Sequence, residues 1–260
     1  MRHAGAEDLQ MTDRRQLMIS AGRSSGVTVM AITGTLDSRT YRQVRDSVID
    51  AAVTGLTTVI VDVSGLEAPA VSAWTAFSSA RWHVLTWPDV PIVLVCDNEV
   101  GRARIRRSGV TRYVPLHGDR VAAVAAAGDD HRRRRRAQTQ FDATPSSMRA
   151  ARRFTADRLT AWARPDMVLT ASTVVTVFVE NVLNHTLSRP VVLVETVDDV
   201  VTVAVSDSDP RPAVRQENPR SGAHTVSGLA VVTAVSRAWG CSPTAGGKTV
   251  WALLGPENRL

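Results

Sequence analysis

Lysine is almost missing from this chain: of 31 basic residues only Lys248 is a lysine, and the rest are arginine. That bias points to a GC-rich genome rather than to a function. Cysteine is nearly as scarce, with Cys96 and Cys241 alone, each in an apolar strand or strand-end context. A disulfide framework or a thiolate metal site is therefore not expected, and both read as packing residues. The first thirty residues lack an apolar core ahead of a cleavage site, because Glu7, Asp8, Asp13, Arg14 and Arg15 interrupt them, so no secretion signal is expected. The longest uncharged apolar stretch, 167–179, is too short to cross a bilayer, which predicts a cytoplasmic protein with no membrane partner. Dispersed positive charge is lacking too: of the net +6, five charges sit in the run Arg132 to Arg136, which leaves +1 for everything else.

What is present suits an ordinary globular protein, with 44% apolar and 22% charged residues. A length of 260 residues allows one large or two ordinary domains. Residues 1–13 show no periodicity and read as a loose tail. Residues 16–21 and 27–33 alternate apolar and polar side chains around Gly22 to Gly26, the pattern of a hairpin. Asp37 to Thr40 offer N-cap groups for a helix to about Val53, with Tyr41, Val44, Val48, Ile49 and Ala52 as its inner stripe. A continuous apolar strand at 57–63, a helix at 71–86, a buried strand at 91–95, a short basic helix at 99–107, a strand at 113–116 and a helix at 119–127 follow. This alternation predicts a parallel sheet with helical crossovers and an antiparallel hairpin at its edge.

Residues 128–140 contain five adjacent arginines and no apolar anchor, so they read as a flexible linker. Clustered charge can meet nucleic acid through phosphates. Here no aromatic residue interleaves the run and no groove-reading element adjoins it, so nucleic acid is not the expected partner. Beyond it, 141–144 reads as a short opening strand. Next come a helix from Ser146 striped by Met148, Ala151, Phe154, Leu159 and Trp162, then strands at 191–195 and 200–205 joined by Asp198 and Asp199. The run Thr176 to His185 is rich in valine, which by propensity favours a strand. Spacing argues otherwise: Asn181 and His185 are four apart and share a face with Val177 only on a helix.

Two resemblances follow from these residues. Gly34-Thr-Leu-Asp37 after the second strand and Val61-Asp-Val-Ser-Gly-Leu66 ending the third resemble the STAS domain of anti-sigma-factor antagonists, over 14–127. The resemblance implies that a loop serine at the start of the next helix is phosphorylated by a partner kinase. The family's Asp-Ser-Ser-Gly reads Ala70-Val-Ser-Ala73 here, so Ser72 is kept while its neighbours are not. Alone, Ser72 reads as an N-terminal helix residue, a place where backbone N–H groups and the helix dipole suit a phosphate. Residues 141–260, with Asn181, His185, Asp207, Ser227-Gly-Leu229 and Gly246-Gly-Lys-Thr-Val-Trp-Ala252 in that order, resemble the histidine-kinase-like (GHKL) ATPase fold in its anti-sigma-factor serine-kinase branch. The expected fold is thus an α/β STAS-like domain followed by an α+β, Bergerat-type α/β sandwich.

The second resemblance implies ATP with Mg²⁺ held through Asn181, adenine on Asp207, phosphate near Gly228, and Thr249 beside the base. His185 keeps its family place, and by itself reads as a buried hydrogen-bonding histidine. Departures are plain. The family's general base falls at Val177, which takes no proton. Glu180 is adjacent to Asn181 but about 100° around the helix from it, so it faces elsewhere. The first lid glycine is Val226. Three roles follow as expectations. One is a partner-switching regulator that binds a sigma factor, or anti-sigma and antagonist proteins, with ATP as modulator. Another is an active serine kinase using Glu180. The third is a nucleic-acid-associated protein using the arginine run. A linker of a dozen or so residues would bring the halves together at millimolar-range effective concentration, within one chain or across a homodimer.

Overall fold

The first sheet follows the apolar runs of the N-terminal half. In the computed structural model, which describes residues 16–24, 27–54, 58–126, 134–211 and 228–260, β1 (Met18–Ser24) and β2 (Val27–Thr35) form the antiparallel hairpin. Helix α1 (Tyr41–Thr54) crosses to β3 (Val59–Asp62). A two-residue strand β4 (Leu66–Glu67) and a 3-10 turn (Val71–Trp74) lead into α2 (Thr75–His83). Then β5 (Ile92–Val95), α3 (Glu99–Arg107), β6 (Leu116–His117) and α4 (Arg120–Ala126) close the half. The strand order is β1-β2-β3-β5-β6 with β4 beside β2, and every pair except the hairpin is parallel. The final strand is shorter than expected, since a 3-10 turn at Val110–Arg112 occupies the chain before it. The helix expected at 71–86 starts as a 3-10 turn and ends at His83.

The second sheet is wholly antiparallel, in the order β10-β11-β9-β8-β7. Its strands are β7 (Arg134–Gln140), β8 (Val191–Val197), β9 (Val200–Asp207), β10 (Ala238–Thr244) and β11 (Gly247–Leu254). The loose linker expected over 128–140 is corrected here: 134–140 is the opening strand of this sheet, and 141–144 is not. The residues before it, 128–133, lie outside the described residues, as do the N-terminal tail 1–13 and the lid residues Val226 and Ser227. Two facts turn the arginines into a strand. Alternation sends Arg134 and Arg136 to one side, and a buried carboxylate waits there.

One face of this sheet carries α5 (Ser146–Ala161), α6 (Val168–His185) and α7 (Gly228–Val235). The valine-rich run is a helix because its apolar positions repeat with helical period: Ala171, Val174, Val175, Phe178, Val179 and Val182 are buried against Val192, Val194, Val203 and Val205. With the 3-10 turn ahead of it the helix spans 165–185 and holds an 18-residue window of mean hydropathy 1.4, so it is long and apolar enough to cross a membrane, contrary to the shorter stretch read from the sequence. Half of that window is buried in the protein, as befits a core helix.

The other face of the second sheet is covered as well. Leu193, Ala204 and Trp251 alternate away from α6 and join the core that holds Ala51, Val53 and Trp87 of the N-terminal half. The two halves therefore share one continuous apolar seam, with α1 and the chain after α2 lying between the sheets.

Candidate functional site

Ser72 sits in the 3-10 turn at the head of α2. Ala70 ahead of it is extended and provides no side-chain cap, so the first turn is held by Thr75, whose hydroxyl donates to the Ser72 carbonyl at 2.6 Å. Ala73 and Trp74 are buried, and Trp74 stacks on Phe77 at 5.9 Å. These anchors leave Val71 and Ser72 exposed at a helix start. The serine expected to be modifiable is thus accessible, at the end of a helix where negative charge is favoured.

The second constellation gathers where α6 ends beside β9 and the start of β11. Ser188, after α6, bonds the hydroxyl of Ser208 at 2.7 Å and accepts its N–H at 3.0 Å, joining the helix exit to the strand end. Asn181 is half-buried on α6. Glu180 is exposed, consistent with its position around the helix from Asn181. His185 is exposed in the last turn of α6, which corrects the reading of a buried histidine; the helix ends there. Val177 packs on Gly228: a Cβ at Gly228 would lie 2.8 Å from a Val177 methyl. An apolar contact therefore occupies the position where the GHKL resemblance implies a base.

Asp207 lies at the end of β9, as expected, but its carboxylate is engaged. Oδ1 accepts from Lys248 Nζ at 2.9 Å and from the Asp209 N–H at 2.8 Å, and the paired side chains are 2% and 9% exposed. Lys248 also donates to the Asp209 carbonyl at 3.0 Å. Thr249 is buried and shares a hydrogen bond of 2.7 Å with Ser206. Gly247 lies over the Asp207 carbonyl with a φ of +159°, a place where any Cβ would strike backbone. Val177 and Asn181 on α6, Gly228 at the start of α7 and Asp207 at the end of β9 are thus on the helix-covered side of the sheet, whereas Thr249 and Ser206 alternate to the opposite face with Trp251 and Ala204. Against the nucleotide site that the GHKL resemblance implies, the fit is poor: a buried ammonium already pairs with the Asp207 carboxylate expected to meet adenine, and Thr249 is turned to the other face of the sheet.

Sequence reasoning missed the charged group at the seam. Glu195, 1% exposed, accepts from Arg134 Nη1 at 3.1 and 3.0 Å and from Arg136 Nε at 2.5 Å. Each arginine reaches on into the N-terminal half: Arg134 donates to the Pro88 carbonyl at 3.0 Å and Arg136 to the Val53 carbonyl at 2.8 Å. Trp87 and Trp251 pack beside them with ring centroids 5.9 Å apart. Burial pushes the Arg136 guanidinium below its ordinary range, partly offset by Glu195. The available signal was Glu195 itself, an acid inside the apolar strand 191–197. Near the seam a cavity of about 310 Å³ is lined by Arg23, Met30, Ser47, Asp50, Thr54 and Ala245, among others, and burial raises the Asp50 carboxyl above its usual range.

Residues 18–123 match a family model described as the STAS domain. No curated protein shows a sequence match to the chain. Among solved structures the chain is similar to an anti-sigma factor antagonist from Mycobacterium paratuberculosis, at 18% identity over 44% of this chain and 96% of that one, with a TM-score of 0.36. It is similar to the RsbU and RsbW domains of a Mycobacterium tuberculosis protein, at 19% identity, 46% of this chain, 32% of that one and a TM-score of 0.36. The anti-sigma factor antagonist SpoIIAA in its unphosphorylated form matches at 18% identity over 43% of this chain and 98% of that one, with a TM-score of 0.35.

Proposed function

We propose that this chain, whose residues 18–123 match the STAS domain, is a cytoplasmic partner-switching regulator of the anti-sigma factor and antagonist type, acting by binding proteins and not by transferring phosphate. In this reading the second half derives from a GHKL ATPase of the anti-sigma serine-kinase kind. Its partners are a sigma factor or the anti-sigma and antagonist proteins that control one. ATP with Mg²⁺ near Asn181 enters as a modulator of that binding, and no chemical step is routed through it.

The observation that carries the proposal is the Val177–Gly228 contact, an apolar plug at the position of the base. General-base catalysis needs a group that takes the serine proton within hydrogen-bond reach, and a valine has none. Glu180, the remaining carboxylate on α6, is exposed, which favours a binding role over an active kinase. Exposed Ser72 supports the other side of the switch, where a phosphate added by a separate kinase would change the surface offered to a partner.

The test mixes the protein with Mg-ATP and a separate antagonist carrying an intact Asp-Ser-Ser-Gly, then measures phosphoserine by mass spectrometry. No transfer above the protein-free background is expected. Stoichiometric phosphoserine that disappears in Asn181→Ala would overturn the reading in favour of an active kinase.

A further inference from the structure

The two ends that the proposed function assigns to this chain point in different directions. Arg136 donates to the Val53 carbonyl at the C-terminal end of α1, and Arg134 to the Pro88 carbonyl in the chain after α2. Trp87, which meets Trp251, lies in that same stretch. Ser72 is at the opposite, N-terminal end of the helical run 71–83. At about 1.5–2 Å per residue, that run separates Ser72 from the seam by about 20 Å. Asn181 and Val177 are on α6, whose buried residues face Val192, Val194, Val203 and Val205 on the far side of the second sheet. The sheet and one helix layer add about 10 Å more in that direction.

The seam that fixes this arrangement is built to hold. It combines a buried carboxylate, two guanidiniums, two backbone carbonyls and a pair of indoles. The strand carrying the arginines pairs along its whole length with β8, from Arg134 opposite Val197 to Gln140 opposite Val191. Arg134, the first described residue after α4, is thereby fixed to the second sheet.

We propose that the chain is a rigid two-ended body: the Ser72 end and the α6–β9 end meet different molecules, and Ser72 is never presented to the α6–β9 end of its own chain. This rests on the partner-switching reading for what the two ends do, but the separation itself is geometric. One chain can then hold two partners at once, and any exchange between the serine and the α6–β9 end passes between molecules. A loosely tethered pair of domains would do the opposite and favour contact within the chain.

Pulsed electron-electron resonance tests this on the full chain. Spin labels go on Ser72→Cys and Asn184→Cys, with Cys96 and Cys241 changed to Ala, and the labelled protein is diluted into unlabelled chain so that only intrachain pairs report. One narrow distance population near 25–30 Å is expected from the helix and layer spacings, unmoved by Mg-ATP. A population shorter by about 10 Å or more, one layer's thickness, would overturn the proposal, as would a broad distribution. Mg-ATP binding is followed separately through tryptophan fluorescence. Failure to bind would remove the modulator from the proposed function and leave the distance standing, whereas a short distance would sink the two-ended body even where nucleotide binds.

Discussion

Replacing Glu195 by Gln removes one charge and almost no volume, and it strikes the seam at its centre. The carboxylate is 1% exposed, and its partners Arg134 and Arg136 are 11% and 3% exposed at the side chain. Neither guanidinium can turn to water when the acid is gone. Breaking a buried pair by removing one partner costs about 3–5 kcal/mol, because a charge is left uncompensated. Both arginines share the one acid, so the two losses are not summed. The glutamine oxygen still accepts one hydrogen bond, which returns about 1 kcal/mol. The net expectation is a loss of about 2–4 kcal/mol, or about 5–15 °C in Tm for a chain of this size. Urea unfolding followed by tryptophan fluorescence reads it directly, since Trp87 and Trp251 sit at the seam. A companion variant, Arg134→Met with Glu195→Leu and Arg136→Met, removes all three charges and should come within about 1 kcal/mol of the unaltered chain, because desolvation cost leaves together with the attraction. A loss below about 0.5 kcal/mol for Glu195→Gln would refute the argument that this carboxylate holds two desolvated cations. So would unfolding of the unaltered chain in two separate steps, one for each half.

Three further perturbations check other parts of the structure. Lys248→Met strands the buried Asp207 carboxylate and should cost about 3 kcal/mol in thermal melting, with most of it recovered on adding Asp207→Asn; equal melting of single and double variants would contradict the pairing. Gly228→Ala places a methyl 2.8 Å from Val177 and should destabilise by about 1–3 kcal/mol, a loss relieved by Val177→Ala in the double-mutant cycle if the contact is the cause. Burial raises the Asp50 carboxyl in the folded chain. The folded state then binds its proton more tightly than the unfolded state does. The associated stability is full below the unfolded pKa and is lost as pH rises through the folded one. Asp50→Asn is therefore expected to raise Tm at pH 7 and to leave it unchanged at low pH, where the acid is already neutral; the same shift at both pH values would rule out titration as its source.

Local pattern carried much of this architecture. The hairpin, the succession of strands and crossover helices in the first half and the inner stripe of α1 were legible because alternation and 3.6-residue spacing declare which side of an element is apolar. The helical state of 168–185 was legible only through spacing, since valine propensity pointed to a strand and packing against β8 and β9 overrode it. What could not be read along the chain was pairing across it. Five adjacent arginines look like a solvated linker until a strand 59 residues further on supplies Glu195 to Arg136, and Asp207 looks free for a ligand until β11 brings Lys248 beside it. The sequence by itself determined most of the helices and strands and which of their sides seek burial, though not that 134–140 is a strand. Tertiary structure alone decided which charges meet and that the second sheet is covered on both faces, because those outcomes depend on distances between segments that no local period encodes.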